Sequence, residues 1–196
     1  MRKLYPLFLF SCLVSPMLWG VAWLYYHNIA YENYVLENLQ VLFLLIGSLI
    51  FFYLSIVIKE NSYYVLYLSL GVFYLTFLVR ELEPDRVDSF YATIILPPVR
   101  NYWIIAAWIF VLFIFLRKPR STVDVFLEWV KLEQGVCIIV GGLWYLLGDI
   151  FDKNLLDLNR PVTLFIEELL ELNGTIFMLL SAIISLVWSM RQEWWR

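Results

Sequence analysis

Six long apolar runs constrain the fold of this chain more than any other feature of its sequence. They cover residues 4–24, 36–58, 63–79, 98–116, 135–150 and 163–190. A helix rises about 1.5 Å per residue, so roughly 20 apolar residues cross the ~30 Å hydrocarbon core of a bilayer. The third and fifth runs are the short ones. The pattern predicts an all-α integral membrane protein, built as a six-transmembrane-helix bundle.

The composition agrees with this class of protein. Hydrophobic residues make up 62% of the 196 residues, against about 45–50% in soluble globular domains. No stretch rich in Pro, Gly or Ser separates one part of the chain from another. We therefore expect a single polytopic membrane domain over residues 1–196.

The distribution of Lys and Arg predicts the orientation of the spans, because loops rich in these residues stay on the cytoplasmic side. With six spans and a cytoplasmic N-terminus, the inner side holds nine of them: Arg2, Lys3, Lys59, Arg117, Lys118, Arg120, Lys131, Arg191 and Arg196. The outer side holds five: Arg80, Arg86, Arg100, Lys153 and Arg160. Both termini are therefore expected in the cytoplasm, and in a bacterium the protein would lie in the inner membrane.

Residues 118–134 carry a shorter pattern that has two interpretations. Val123, Phe126, Leu127 and Val130 fall on one helical face, opposite charged positions. Such a segment is typical of an amphipathic helix that lies on the cytoplasmic leaflet. The alternative is a plain helical extension that leads into the fifth span.

Three carboxylates crowd the start of the last span, in the stretch IEELLELNG. At about 100° per residue, Glu167 and Glu171 share a face that Gly174, Met178, Ser181 and Ser185 continue. Small and polar residues mark helix contacts inside membrane bundles, so this face is predicted to point inward. Glu168 falls outside it and is expected to interact with the helix dipole or the lipid headgroups.

Other spans bring polar residues to a similar depth near the outer boundary. Glu37 and Gln40 begin an inward face of the second span, Arg80 and Glu81 end the third, and a stripe of Gly142, Tyr145, Asp149 and Asp152 ends the fifth. The predicted pocket therefore consists of Glu37, Gln40, Arg80, Glu81, Asp149, Glu167 and Glu171. The competing interpretation is a solvated outer face, whose acids pair with nearby Arg and Lys residues.

Carboxylates that share a poorly solvated cleft cannot all ionise cheaply, so such a pocket traps a proton or admits a cation. A hard divalent metal, Ca²⁺, Mg²⁺ or Mn²⁺, would use Glu37, Glu167 and Glu171 as oxygen ligands. The amine of a lipid headgroup is the other candidate cation. A zinc centre is not expected, because His27 is the one histidine in the chain and zinc enzymes draw on several.

Three functions remain open from the sequence, and none involves nucleic acid, because the basic inner face is sparse. The leading hypothesis is a binding or transport-related membrane protein whose acidic pocket takes a cation, a proton or an amine-bearing lipid headgroup. The second is an intramembrane enzyme that acts on lipid or envelope precursors, with a Glu as general acid or base. It requires an apolar groove beside the pocket. The third is a structural subunit that binds another membrane protein.

Overall fold

A computed structural model describes residues 6, 13–26, 35–58, 61–82, 97–117, 119–152 and 159–193. These residues form seven helices and no strand. The helices are α1 (Ser15–Tyr25), α2 (Val35–Val57), α3 (Asn61–Glu81), α4 (Pro97–Phe115), α5 (Pro119–Val130), α6 (Glu133–Asp152) and α7 (Arg160–Glu193). The predicted all-α class is confirmed for the part of the chain that the structure describes.

Three of these helices, α2, α3 and α7, are long and apolar enough to cross a membrane. They correspond to the second, third and sixth apolar runs, so the protein is a membrane protein. The third run is short as an apolar segment, yet α3 has 21 residues. The helix is longer because polar residues at both ends, Asn61 and Ser62 at one and Arg80 and Glu81 at the other, continue its hydrogen bonding.

The other three runs also form helices. The fourth corresponds to α4, with 19 residues, and the fifth to α6, whose apolar part covers only Glu133–Gly148. Residues 15–25 of α1 overlap the first run, and residues 7–12 lie outside the described part. Crossing of the membrane by all six segments therefore stays a prediction.

The segment after α4 forms a helix of its own, α5. Asn101–Phe115 of α4 and Pro119–Val130 of α5 meet at a bend of 107°. A turn follows α5, in which the N–H of Leu132 donates to the carbonyl of Trp129 over 3.0 Å. Thr122 and Trp129 are buried, whereas Val123, Phe126 and Leu127 are exposed. The segment is therefore a helix separate from α6, and its position on the cytoplasmic leaflet stays a prediction.

The helices divide into two compact units that interleave along the chain. The first unit comprises residues 1–43 and 133–181, and the second comprises residues 44–132 and 182–196. Helices α2 and α7 each contribute to both. The expectation of one domain is not decided by this division.

The first unit packs α1, α6 and the first halves of α2 and α7. Its apolar core consists of Leu36, Phe165, Leu169 and Leu172, with Trp19, Trp23, Leu39, Phe43 and Ile176 around them. Trp23 stacks on Phe165, with ring centroids 5.0 Å apart. On the other side of α7, backbone meets backbone. A methyl group at Gly141 of α6 would lie 2.8 Å from the carbonyl oxygen of Gly174, so only glycine permits this approach.

The second unit packs α3 against α4, α5 and the second half of α2. Phe51 of α2 lies against the rings of Tyr67 and Tyr74 of α3. Ser48 Oγ donates to the carbonyl oxygen of Gly71 over 3.1 Å and thereby joins the same two helices.

Candidate functional site

Helix α7 carries several of the polar residues of the first unit, and its residues 171–175 are all buried. The helix begins at Arg160, where the N–H groups of Val162 and Thr163 donate to the carbonyl oxygen of Asn159. Glu171 therefore lies about 16 Å along the helix, well beyond the first turn. At that depth the helix dipole no longer accounts for a carboxylate.

One hydrogen-bonded pair connects α2 to α7. Gln40, which is fully buried, donates through Nε2 to Glu168 Oε2 over 2.9 Å and to the Glu168 carbonyl oxygen over 3.1 Å. Glu168 is 7% exposed. Because both bonds use the amide nitrogen, the orientation of the Gln40 amide is fixed. Its oxygen, Oε1, is buried and meets no hydrogen-bond donor among the residues that the structure describes.

Glu171 lies between α7 and α6. It is 3% exposed, and a methyl group at Gly148 would lie 2.8 Å from its Cγ. The absence of a side chain at Gly148 is what leaves room for this carboxylate. Glu37 of α2 is also buried and precedes Gln40 by three residues, on the same side of the helix. Glu167 is half-buried.

The charges of the first unit are strongly unbalanced. Its described stretches contain seven acidic residues and one basic residue, Arg160, which is exposed at the start of α7. Glu37, Glu168 and Glu171 are all more than nine-tenths buried. Removing a carboxylate from water is costly unless it binds a proton or lies near positive charge. Each of these carboxyl groups therefore needs a proton, a hydrogen-bond donor or a positive charge beside it, and Gln40 is a donor to Glu168.

The predicted site residues fall into three groups in the structure. Glu37, Gln40, Glu167 and Glu171 all belong to the first unit, and the first two and Glu171 are buried. Arg80 and Glu81 belong to the second unit, where Arg80 Nε lies 3.2 Å from Glu81 Oε1. Asp149 lies on α6, with its side chain outside the described part.

Two details of the sequence interpretation need correction. Glu168 was expected to face headgroups or the helix dipole, but it is buried and bonded to Gln40. The stripe predicted for α6 changes in one respect: Gly142 is only partly buried, whereas Gly141, Tyr145 and Gly148 are buried. The side chains of Asp149 and Asp152 lie outside the described part.

The expectation of a divalent metal receives no support from the described residues. Among them, no three His, Cys, Asp or Glu side chains gather closely enough to hold a metal ion. A proton or an organic cation needs fewer carboxylate ligands than a hard metal ion does.

An apolar cleft of about 420 Å³ lies within the first unit. Its walls include Trp19 and Ala22 of α1, Leu39 and Phe43 of α2, and Leu172 and Ile176 of α7. Leu39 is the sequence neighbour of Gln40, and Leu172 lies one turn beyond Glu168. Sequence reasoning required such a groove only for the enzyme hypothesis and did not locate it.

No protein-family model, characterised protein or solved structure matches this chain. The buried polar residues of the first unit are therefore the basis for a functional proposal.

Proposed function

We propose that this protein binds a positively charged group, either a proton, a cation or the amine of a lipid headgroup, in an acidic pocket of its first unit. Glu37, Gln40, Glu168 and Glu171 form the pocket, with Glu167 at its margin. Such a pocket suits a membrane protein that retains or transports its ligand. Buried carboxylates in a membrane protein are costly, and they commonly mark sites of this kind.

The observation that carries this proposal is the orientation of the Gln40 amide. Its nitrogen donates to Glu168, so its buried oxygen accepts from whatever completes the site. Carboxylates are acceptors as well, so a group that donates hydrogen bonds and carries positive charge suits the site. An ammonium group has three donors and meets both requirements.

The proposed topology places this pocket at the outer side of the membrane. We infer six spans, with both termini in the cytoplasm, from the excess of Lys and Arg on one side. In a bacterium the pocket would open toward the periplasm. This inference is carried by the sequence and by the three helices that are long and apolar enough to span.

The test is thermal unfolding of the detergent-purified full chain with ethanolamine, with Ca²⁺, Mg²⁺ or Mn²⁺, and with chelator. A ligand at about 100 times its Kd stabilises the folded protein by roughly 2.7 kcal/mol. We expect ethanolamine to raise the Tm of the wild type and to have little effect on Glu168→Gln or Gln40→Leu. The control is Glu128→Gln, which removes an exposed carboxylate on α5. Equal stabilisation of all four proteins would refute the pocket.

The apolar cleft favours a second candidate function, an intramembrane enzyme acting on lipid. Glu168 or Glu171 would serve as general acid or base beside a bound acyl chain. The test is incubation of the protein in lipid vesicles, followed by mass analysis of the lipids. This candidate requires a new lipid product with the wild type that Glu168→Gln and Glu171→Gln do not form.

A further inference from the structure

The polar pair and the apolar cleft involve neighbouring residues of the same two helices, although neither Gln40 nor Glu168 lines the cleft. On α7, Glu168 and Leu172 are four residues apart and lie on the same face. On α2, Gln40 directly follows the cleft residue Leu39 and precedes the cleft residue Phe43 by three positions. The cleft therefore begins within about one helical turn, roughly 5 Å, of the hydrogen bond between Gln40 and Glu168.

The helix directions show which way the cleft extends. Helices α2 and α7 run parallel here, because Leu36 packs with Phe165 and Leu169 while Leu39 and Phe43 line the cleft with Leu172 and Ile176. Helix α1 runs the other way. Its Trp23 stacks on Phe165, whereas its Ser15 lines the cleft with Ile176. The cleft thus extends from the polar pair toward the middle of the spans α2 and α7.

We propose that the cleft holds one acyl chain of a lipid whose headgroup amine lies at Gln40 and Glu168. This proposal rests on the proposed function and specifies its ligand. A single volume of about 420 Å³ falls within the range of roughly 300–1,000 Å³ that is usual for small-molecule sites. The acidic surroundings of the polar pair select the amine, and the apolar walls accept the chain.

A lipid is the occupant that the exposed surface favours. Leu18 lines the cleft and is 61% exposed, and its neighbours Met17 and Val21 are exposed as well. In a membrane-spanning unit, such residues face hydrocarbon, so the mouth of the cleft is open to acyl chains. The orientation inferred for α2 places the amine near the outer headgroups and the chain deeper in the bilayer.

The experiment compares three probes on the full chain in a neutral detergent. Ethanolamine is the headgroup without a chain, lysophosphatidylethanolamine has both, and lysophosphatidylglycerol has the same chain without an amine. Binding is measured by native mass spectrometry and by the shift in Tm. We expect lysophosphatidylethanolamine to bind at least about tenfold more tightly than ethanolamine, a gain that the burial of two methylene groups would already provide. It should also bind more tightly than lysophosphatidylglycerol, which has the same chain but no amine.

Two matched variants separate the cleft from the rest of the surface. Ala22→Phe places a ring in the cleft, whereas Val21→Phe places the same ring on the exposed side of α1. We expect Ala22→Phe to lose the advantage of lysophosphatidylethanolamine over ethanolamine, and Val21→Phe to keep it. Ala22→Leu fills less of the cleft and serves if the larger substitution unfolds the protein. The Tm without ligand shows which variants are folded.

The outcomes distinguish this inference from the function on which it rests. If ethanolamine stabilises the wild type but not Glu168→Gln, and the chain adds nothing, the pocket stands and the acyl site is wrong. If lysophosphatidylglycerol binds as tightly as lysophosphatidylethanolamine, the amine is not recognised and the proposed lipid class is wrong. If ethanolamine also fails to bind, the proposed function fails with it. Equal behaviour of a folded Ala22→Phe and Val21→Phe would likewise overturn the acyl site.

Discussion

At the scale of single residues, Gln40 and Glu168 form a hydrogen-bonded pair that connects α2 to α7. Two polar side chains are buried next to an apolar core, and each satisfies part of the hydrogen-bonding capacity of the other. A buried polar group that loses its partner costs about 1–3 kcal/mol, whereas replacing both partners by apolar groups can be nearly neutral. The pair therefore contributes to stability in a way that depends on both members.

Gln40→Leu should lower the free energy of unfolding by about 1–3 kcal/mol, because it leaves the Glu168 carboxyl and carbonyl groups without their donor. The double variant Gln40→Leu/Glu168→Leu should be less destabilised than the sum of the two single variants. Denaturant unfolding of the four proteins in one detergent provides the cycle. Strict additivity of the two changes would contradict a direct interaction.

At the scale of elements, the contact of α6 with α7 fixes the position of Glu171. Gly141 and Gly174 bring the two backbones together, and Gly148 leaves room for the carboxylate stem one and a half to two turns further on. Close approach of this kind is typical of helix pairs in membranes. Lipid provides no hydrophobic driving force between helices, so they associate through the close packing that small residues allow. The glycines of α6 are not equivalent, however, because nothing lies within 4 Å of a methyl group at Gly142.

Gly141→Ala should destabilise the protein by about 1–3 kcal/mol, since its methyl group would meet the Gly174 carbonyl oxygen at 2.8 Å and force the helices apart. Gly142→Ala is the matched control. It adds the same atom to the same helix in open space and should be neutral, or stabilising by up to about 1 kcal/mol. Thermal unfolding in detergent measures both. The contact would be wrong if Gly141→Ala were as stable as Gly142→Ala.

Helical periodicity alone predicted much of this arrangement. The inward face of α7 was predicted correctly, and Met178, Ser181 and Ser185 are buried. On α2, Glu37 and Gln40 were likewise assigned to the inward face, and both are buried. These faces could be read because polar residues recur along one stripe of an otherwise apolar helix.

The remaining details depend on tertiary contacts that periodicity does not contain. In α6 the apolar residues surround the helix, and two adjacent glycines, Gly141 and Gly142, both fit a packing face. Only the approach of Gly174 shows which of them is buried. The burial of Glu168 was missed for a related reason. The inward face of α7 was assigned from residues about four apart, such as Glu167 and Glu171, and the sequence does not show that Gln40 of α2 donates to Glu168.

At the scale of the whole molecule, the number of times the chain crosses the bilayer depends on the lengths of its apolar helices. Helices α2, α3 and α7 are long enough. Helix α6 is the informative case, because its apolar part, Glu133–Gly148, has 16 residues and extends only about 24 Å. A span that is shorter than the hydrocarbon core can still cross if the bilayer thins locally, at a modest cost per ångström of mismatch.

Crossing by α6 predicts that Arg120 and Arg160, which lie on either side of it in the chain, face opposite sides of the membrane. In a chain whose Cys12 and Cys137 are replaced by Ala, Arg120→Cys should react with a membrane-impermeant thiol reagent only after the cells are opened. Arg160→Cys should react in intact spheroplasts. Both positions are exposed in the structure, so access by the reagent is decided by the membrane. Reaction of both cysteines from the same side would make α6 a re-entrant helix, and it would place the C-terminus on the side opposite to the one proposed.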